Sequence, residues 1–369
     1  MTTPSRPINT TGDVAEVFER AVALARKTAR IDLRREREIE DDLFYVGATR
    51  PELFHPLQDE LLNLPDAVLK NLQQYIDPWL LHGAPDAFVE RIEKRLSEQE
   101  PYPSGVATLA LEGMLEAVLT PAALRAIAAY ANRTGRWKEF DDGGFWAPPG
   151  ARTAVPRFTT DRRALRLDSF DGSVEELAQR PHPVGLPASL VADRFARDSV
   201  AWHYCSLTLA ETGLTGLPPL PQWMARVPLV SPPVTNCILF YEVRSEGTIG
   251  ATELLVSSFD SDTMAGVTEE REDARRRVDQ GRGELVALPF DDQLVYSNGH
   301  ILSTPGVEGQ MGGPPLGLYG NPHCPRCGVL MFHIALLDFT VREYGDHGFR
   351  ALFVCEHCGK AASSSFGYN

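Results

Sequence analysis

The sequence predicts an α+β protein, a helical N-terminal domain followed by a β-rich domain closed by a C-terminal zinc ribbon. Three observations predict it. Apolar residues recur at helical spacing through the first third, and short apolar runs bounded by turn residues dominate after residue 237. Four cysteines in two C-x-x-C pairs then stand near the C-terminus. The expected division is a helical domain over 1–136 (a bundle or a short helical-repeat stack), a linker over 137–156, and a mixed, mainly β domain over 157–369 with the ribbon at 322–360.

From Val14 to Ile31 the residues Val14, Val17, Phe18, Ala21, Leu24, Ala25, Thr28 and Ile31 form one apolar stripe, with charged residues between them. Asp13 followed by Glu16 reads as an N-cap with an acid at the third helical position. The mixed-charge run 34–42 reads as a solvated helix face or exposed connector. Further helices are expected over about 59–76, 86–99 and 105–119. The next helix carries the clearest signals: Thr120 as N-cap, Pro121 at the first position, Gly135 just past the end, and Leu124, Ile127, Ala128 and Ala131 as its buried stripe. Asp141-Asp142-Gly143-Gly144 and Pro148-Pro149-Gly150 then mark the linker.

A helix is expected over 188–211, followed by a proline-dense passage over 217–233. Pro218-Pro219-Leu220-Pro221 resembles a polyproline ligand, although loops inside a domain share that composition. Strands are expected over Cys237–Val243, Thr252–Phe259, Glu284–Leu288, Gln293–Ser297 and His300–Ser303, with Asn298-Gly299 as a hairpin turn. A charged helix or loop is expected over 268–279.

The cysteines carry the strongest chemical signal. Cys324-Pro325-Arg326-Cys327-Gly328 and Cys355-Glu356-His357-Cys358-Gly359 are two knuckles separated by apolar runs over 329–339 and 349–354. Zinc takes four thiolates at tetrahedral corners, about 2.3 Å away, and two such turns at the ends of paired strands complete its shell. The expected ligands of one structural Zn2+ are therefore Cys324, Cys327, Cys355 and Cys358. A redox dithiol pair or a four-thiolate iron centre would use the same residues. Four protein thiolates leave no position for water, which argues against catalytic zinc. His323 and His357 flank the knuckles and read as outlying or exposed groups. Cys205, in the expected helix, and Cys237, opening a strand, read as packing residues.

Net charge is −14, and the acid is spread along the chain. Residues 1–134 hold 15 Lys and Arg against 21 Asp and Glu, and the rest hold 21 against 29. From Cys324 to the end, Arg326, Arg342, Arg350 and Lys360 balance Asp338, Glu343, Asp346 and Glu356, and a four-thiolate zinc centre adds about two negative charges. A nucleic-acid partner is therefore not expected. The polar N-terminus has no apolar core of a secretion signal, and no run approaches the roughly 18 apolar residues that span a bilayer. The expectation is a cytoplasmic protein without a membrane partner. No metalloprotease, nucleophile-elbow, P-loop or dinucleotide fingerprint occurs, and Asp260-Ser261-Asp262 reads as a turn more readily than as a metal-binding D-x-D.

Gly312-Gly313-Pro314-Pro315, then Met331-Phe332-His333-Ile334-Ala335-Leu336-Leu337-Asp338, then Tyr344-Gly345-Asp346-His347-Gly348 stand in that order around the first knuckle. Over about residues 296–360 this arrangement resembles the YwqG-like family of bacterial proteins, and more distantly the C-terminal region of programmed cell death protein 2. The family's glutamines fall here at Leu336 and near Leu318, a departure that puts any amide-mediated binding in doubt. The resemblance implies a β-rich fold and a role in protein binding, with an immunity or regulatory setting. Two readings of function stand. One is a protein-interaction module, its partner a protein. The other is an enzyme of unrecognised type with a site between the helical and β domains, using carboxylates such as Asp260, Asp262 or Asp346.

Overall fold

In a computed structural model of the chain the described residues are 8–27, 39, 42–43, 45–47, 49–72, 78–98, 106–186, 202–221, 224–231, 237–244, 249–256, 283–289, 307–315, 321–338 and 347–368. Among them, helices occupy the N-terminal part and one large antiparallel sheet the C-terminal part, the expected α+β class. Two compact units meet in sequence between Val155 and Pro156. No helix among the described residues is long and apolar enough to cross a membrane.

The helical unit begins with α1 (Thr11–Ala25), which buries Val14, Val17, Phe18, Ala21, Val22 and Ala25, one stripe of the amphipathic pattern. Its cap lies one turn earlier than expected. The Thr10 hydroxyl accepts from the Asp13 amide while the Asp13 carboxylate accepts from the Thr10 amide, so Asp13 is the third helical residue and not the cap. Phe18 meets Phe54 edge to face at 5.3 Å.

The single helix expected over 59–76 is two: α2 (Gln58–Leu62) and α3 (Asp66–Leu72). Pro65 causes the break, because it has no amide to give and disfavours helical geometry at Leu64. Arg95 on α4 (Asp86–Glu98) reaches into the break and donates to the Leu62 and Leu64 carbonyls, groups the interrupted helix leaves open. Helices α5 (Val106–Val118) and α6 (Pro121–Thr134) follow. The latter has the expected ends, Thr120 accepting from the Ala123 amide and Gly135 at φ 76°.

The stretch expected as a linker is part of this unit up to Val155. It forms α7 (Trp137–Asp142), and Phe140 and Phe145 are fully buried. Of the letters that suggested a linker, Asp141 and Asp142 end α7 and Gly143-Gly144 form the turn after it.

The second unit contains an eleven-stranded sheet. Its strands in chain order are β1 (Arg162–Ser169), β2 (Pro183–Val184), β3 (Trp202–Thr208), β4 (Arg226–Ser231), β5 (Cys237–Val243), β6 (Ile249–Val256), β7 (Gly283–Pro289), β8 (Val307–Gly312), β9 (Phe332–Asp338), β10 (His347–Cys355) and β11 (Lys360–Tyr368). Across the sheet they run β4-β3-β2-β7-β1-β8-β9-β10-β11-β5-β6. A short helix, α8 (Val174–Ala178), is capped reciprocally by Ser173 and Glu176.

The sheet curls towards closure. The Tyr241 phenol on β5 donates to the Pro228 carbonyl on β4 at 2.7 Å, joining strands far apart in the sheet order, and Arg350 on β10 lies over the Tyr204 ring of β3 at 5.4 Å. Leu165, Leu207, Leu229, Leu239, Ile334, Leu352 and Val354 belong to the core so enclosed.

Residues 202–208, expected as the end of a helix, are strand β3, paired with β4 from Trp202↔Ser231 to Thr208↔Arg226. Cys205 is therefore a buried strand residue. The segment has the aromatic and β-branched content of a strand, and its partners in β4 decide the matter. The expected strand over 237–243 matches β5, those over 252–259 and 284–288 overlap β6 and β7, and the apolar runs between the knuckles supply β9 and β10. The expected elements over 268–279, 293–297 and 300–303, with the Asn298-Gly299 turn, lie outside the described residues.

In the helical unit Glu112 pairs with Arg136 at 3.0 Å, and Glu116 lies one turn further along α5, against Gly143. Burial, then Glu112 and Asp142, hold the Glu116 pKa well above its ordinary 4.5. The folded state therefore keeps a proton that the unfolded chain has released, and stability falls as pH rises from about 4.5 through the elevated folded value. Glu116→Gln should raise the melting temperature at pH 8 by a few degrees and flatten its pH dependence above 4.5, as read by thermal unfolding across pH 5–8. An unchanged profile would show that Glu116 ionises freely in the fold.

Candidate metal centre

Strands β9 and β10 are antiparallel, with Phe332 opposite Val354, so the residues before Phe332 and those after Val354 come to the same end of the hairpin. The first knuckle lies just before β9 and the second forms the turn from β10 to β11, where Cys355 pairs with Lys360. The first is closed by an isolated bridge between His323 and Leu330. Within it the Cys324 amide donates to the Val329 carbonyl and the Gly328 amide to the Cys324 carbonyl, both at 2.8 Å. In the second, the Gly359 amide donates to the Cys355 carbonyl at 3.1 Å. Gly328 and Gly359 stand at φ 71° and 67°, so each loop reverses in a conformation that a side chain disfavours.

The result is four sulfurs all within 4.8 Å of one another, an arrangement that could hold a metal ion. The sulfurs of Cys327 and Cys355 are 3.6 Å apart, against about 3.8 Å for the edge of a tetrahedron with 2.3 Å metal–sulfur bonds. Burial first, and then the neighbouring sulfurs, push the Cys355 and Cys358 thiols up from their ordinary range. Four sulfurs this close become stable thiolates only around a cation. Cys324 and Cys355 are buried, Cys358 is half-buried and Cys327 is exposed. Among the described residues no other group of three or more His, Cys, Asp or Glu is placed to hold a metal.

The flanking histidines stay outside the cluster. His323 is exposed and its ring Nδ1–H donates to the Gly328 carbonyl at 3.0 Å; His357 is exposed, 3.4 Å from Glu356.

The cluster has a support that the sequence did not disclose. Glu356, inside the second knuckle, is nearly buried and paired with Arg157, whose Nη2 lies 2.8 and 2.6 Å from the two carboxylate oxygens. The Nε–H of Arg157 donates to the Leu330 carbonyl at 2.8 Å, at the foot of the first knuckle. Arg157 thus touches both knuckles from a position well over a hundred residues away in the chain. An acid placed between two cysteines of a C-x-x-C knuckle was the one available hint, since it calls for a cation from elsewhere.

The Gly312-Gly313 turn adjoins this support. Gly312 is at φ 71°, and a Cβ there would lie 2.0 Å from the Asp161 carbonyl oxygen. The Gly313 carbonyl accepts from His333 Nδ1–H at 3.0 Å, and the His333 amide donates to the Arg157 carbonyl at 2.6 Å. The Gly312-Gly313 turn and the start of β9 therefore adjoin Arg157 at the base of the cluster.

Other sites singled out in the sequence read as structure or fall outside the described residues. Asp260, Asp262 and Asp346 lie outside them. Leu217 and Leu220 of the proline-dense passage pack against the sheet core, as in a loop that belongs to the domain. The His203 Nε2 is 2.9 Å from Ser206 Oγ, a contact that on paper suggests an activated hydroxyl. Both residues are buried, and burial, helped by Arg226, pushes the imidazole down to about 3. A ring so enclosed is a packing group.

No family model matches the chain, and neither a curated protein nor a solved structure does.

Burial also lowers the pKa of His182, and of His333 to about 4. Unfolded histidine takes its proton near 6.5, so from there down to about 4 the unfolded state binds more protons than the folded one. The sheet unit should lose stability steadily as pH falls through that window. Amide exchange, corrected for intrinsic rates, should show peptides from β3 and β9, which carry His203 and His333, losing protection between pH 6.5 and 4.5, with a smaller loss in His203→Gln. Constant protection across the window would refute the neutral, buried histidines.

Proposed function

We propose that the protein is a cytoplasmic protein-interaction module whose sheet unit is fastened by one structural zinc ion on Cys324, Cys327, Cys355 and Cys358. The observation that carries the reading is the closed set of four sulfurs on two short knuckles. Thiolate donors at tetrahedral spacing suit zinc, and with all four corners taken by protein no position remains for a reacting water. The ion then contributes cohesion. Its free energy of binding becomes folding free energy for the hairpin ends that carry the knuckles.

The interaction reading draws on three further supports. The net charge of −14 disfavours phosphate partners. The Gly312-Gly313 turn and the β9 strand, which carry the YwqG-like resemblance and its implied role in protein binding, belong to the scaffold around the cluster. The structural account of the buried His203–Ser206 contact removes one route to an enzyme reading.

Two measurements test the proposal. Elemental analysis of the purified chain should give one zinc per molecule and none in the Cys324→Ser, Cys355→Ser double variant, and chelation should lower the melting temperature of the sheet unit by roughly 10 °C or more. Iron in place of zinc, or a double variant that keeps its zinc, would overturn the metal assignment. Affinity purification of the tagged chain from its host, with and without crosslinking, should recover a stoichiometric protein. Salt-sensitive retention of nucleic acid instead would overturn the partner assignment.

A further inference from the structure

The two knuckles lie 28 residues apart along the chain and are brought to one end of the sheet by the pairing of β9 with β10. Arg157 bears on both. Its Nε–H is bonded to the Leu330 carbonyl in the hairpin that carries Cys324 and Cys327, and its Nη2 to Glu356 between Cys355 and Cys358. The guanidinium is held in turn, lying 5.8 Å from the Phe332 ring centre, and its residue's carbonyl accepts from the His333 amide. The Arg157 and Glu356 side chains are only 8% and 11% exposed, so the contact is made away from solvent.

Charge gives the arrangement its sense. Four thiolates around a divalent ion carry a net charge of about −2, and Glu356 adds a further unit inside the same loop. Without a cation that carboxylate would repel the site it belongs to. Arg157 offsets it, and its directional N–H groups fix the loop's orientation as well.

We propose that Arg157, acting through Glu356 and the Leu330 carbonyl, is a positioning residue of the metal centre, setting its affinity by holding the two knuckles in register. The proposal rests on the four cysteines binding a metal, as argued above. Outlying partners of this kind change metal affinity by roughly 10–100-fold in other metal sites.

The test uses the full chain loaded with Co2+, whose charge-transfer and d–d absorption reports thiolate number and geometry, with affinity measured against a chromophoric chelator. Arg157→Gln and Glu356→Gln should each weaken cobalt binding roughly 10–100-fold. The double variant should be little weaker than the worse single one, because both remove the same contact. Arg157→Lys, which keeps the charge but loses the fork, should fall between. Leu285→Ala, a core change in β7, should lower the melting temperature and leave cobalt affinity within about twofold. If Arg157→Gln does not fold, the near-isosteric Glu356→Gln decides. Folded variants with the wild-type cobalt spectrum and affinity would overturn the role of Arg157 alone. A wild-type chain that takes up no metal would overturn the metal centre and this inference together.

Discussion

The contact between Arg157 and Glu356 is the constraint on which the C-terminal architecture turns. A carboxylate in a loop that also presents two cysteine sulfurs is electrostatically costly unless a cation reaches it, and Arg157, which does so, enters at the very start of the sheet unit. Satisfying it ties the first residues of the unit to its last hairpin. Because the same guanidinium bonds the Leu330 carbonyl, one side chain contacts both knuckles that the strand pairing brings together. Buried ion pairs are weak evidence for stability, since an apolar substitute often does as well. Here the geometry matters more than the energy, because a tetrahedral sulfur shell tolerates little error in the spacing of its two halves.

The sheet provides the frame for that contact. Hairpin pairing of β9 with β10, and of β10 with β11, brings both knuckles to one end, while the curl marked by Tyr241 and Pro228 encloses a core on the concave side. That core is not wholly apolar: Arg350 stacks on Tyr204, and Ser363 is fully buried on β11. Pro228 lies within β4, the end strand of the sheet order, where a proline is tolerated, and its carbonyl is taken by the tyrosine.

Much of this was legible locally. Helix α6 is specified by Thr120, Pro121 and Gly135, and the strand over 237–243 by its apolar and aromatic run, so both were found at their true limits. The cysteine spacing alone pointed to the four residues whose sulfurs the fold brings within 4.8 Å of one another. Where the reading failed, a partner distant in sequence decided the outcome. Residues 202–208 become a strand because β4 pairs with them, and 360–368, rich in alanine and serine, become one because two long strands flank them. Two errors were local and avoidable. Pro65 divides a helix that periodicity had run together, and Thr10 caps α1 one turn before the acid that was given the role. Arg157 had no local signature at all, since nothing near it in the sequence resembles a metal site.

A closed sulfur shell also determines what kind of role the cluster can play. Catalysis at a metal needs a vacant or exchangeable position, and recognition of phosphate needs positive potential; four thiolates with an acid between them offer neither. Even Arg157, the cation nearest in the network, is committed to a carboxylate and a carbonyl inside the fold. An ion held by the four sulfurs would cross-link two loops at one end of the curled sheet. Cys327, Arg326, His323 and His357 are exposed on those loops. They stand on loops whose backbone and acid the Arg157 guanidinium bonds from inside the fold.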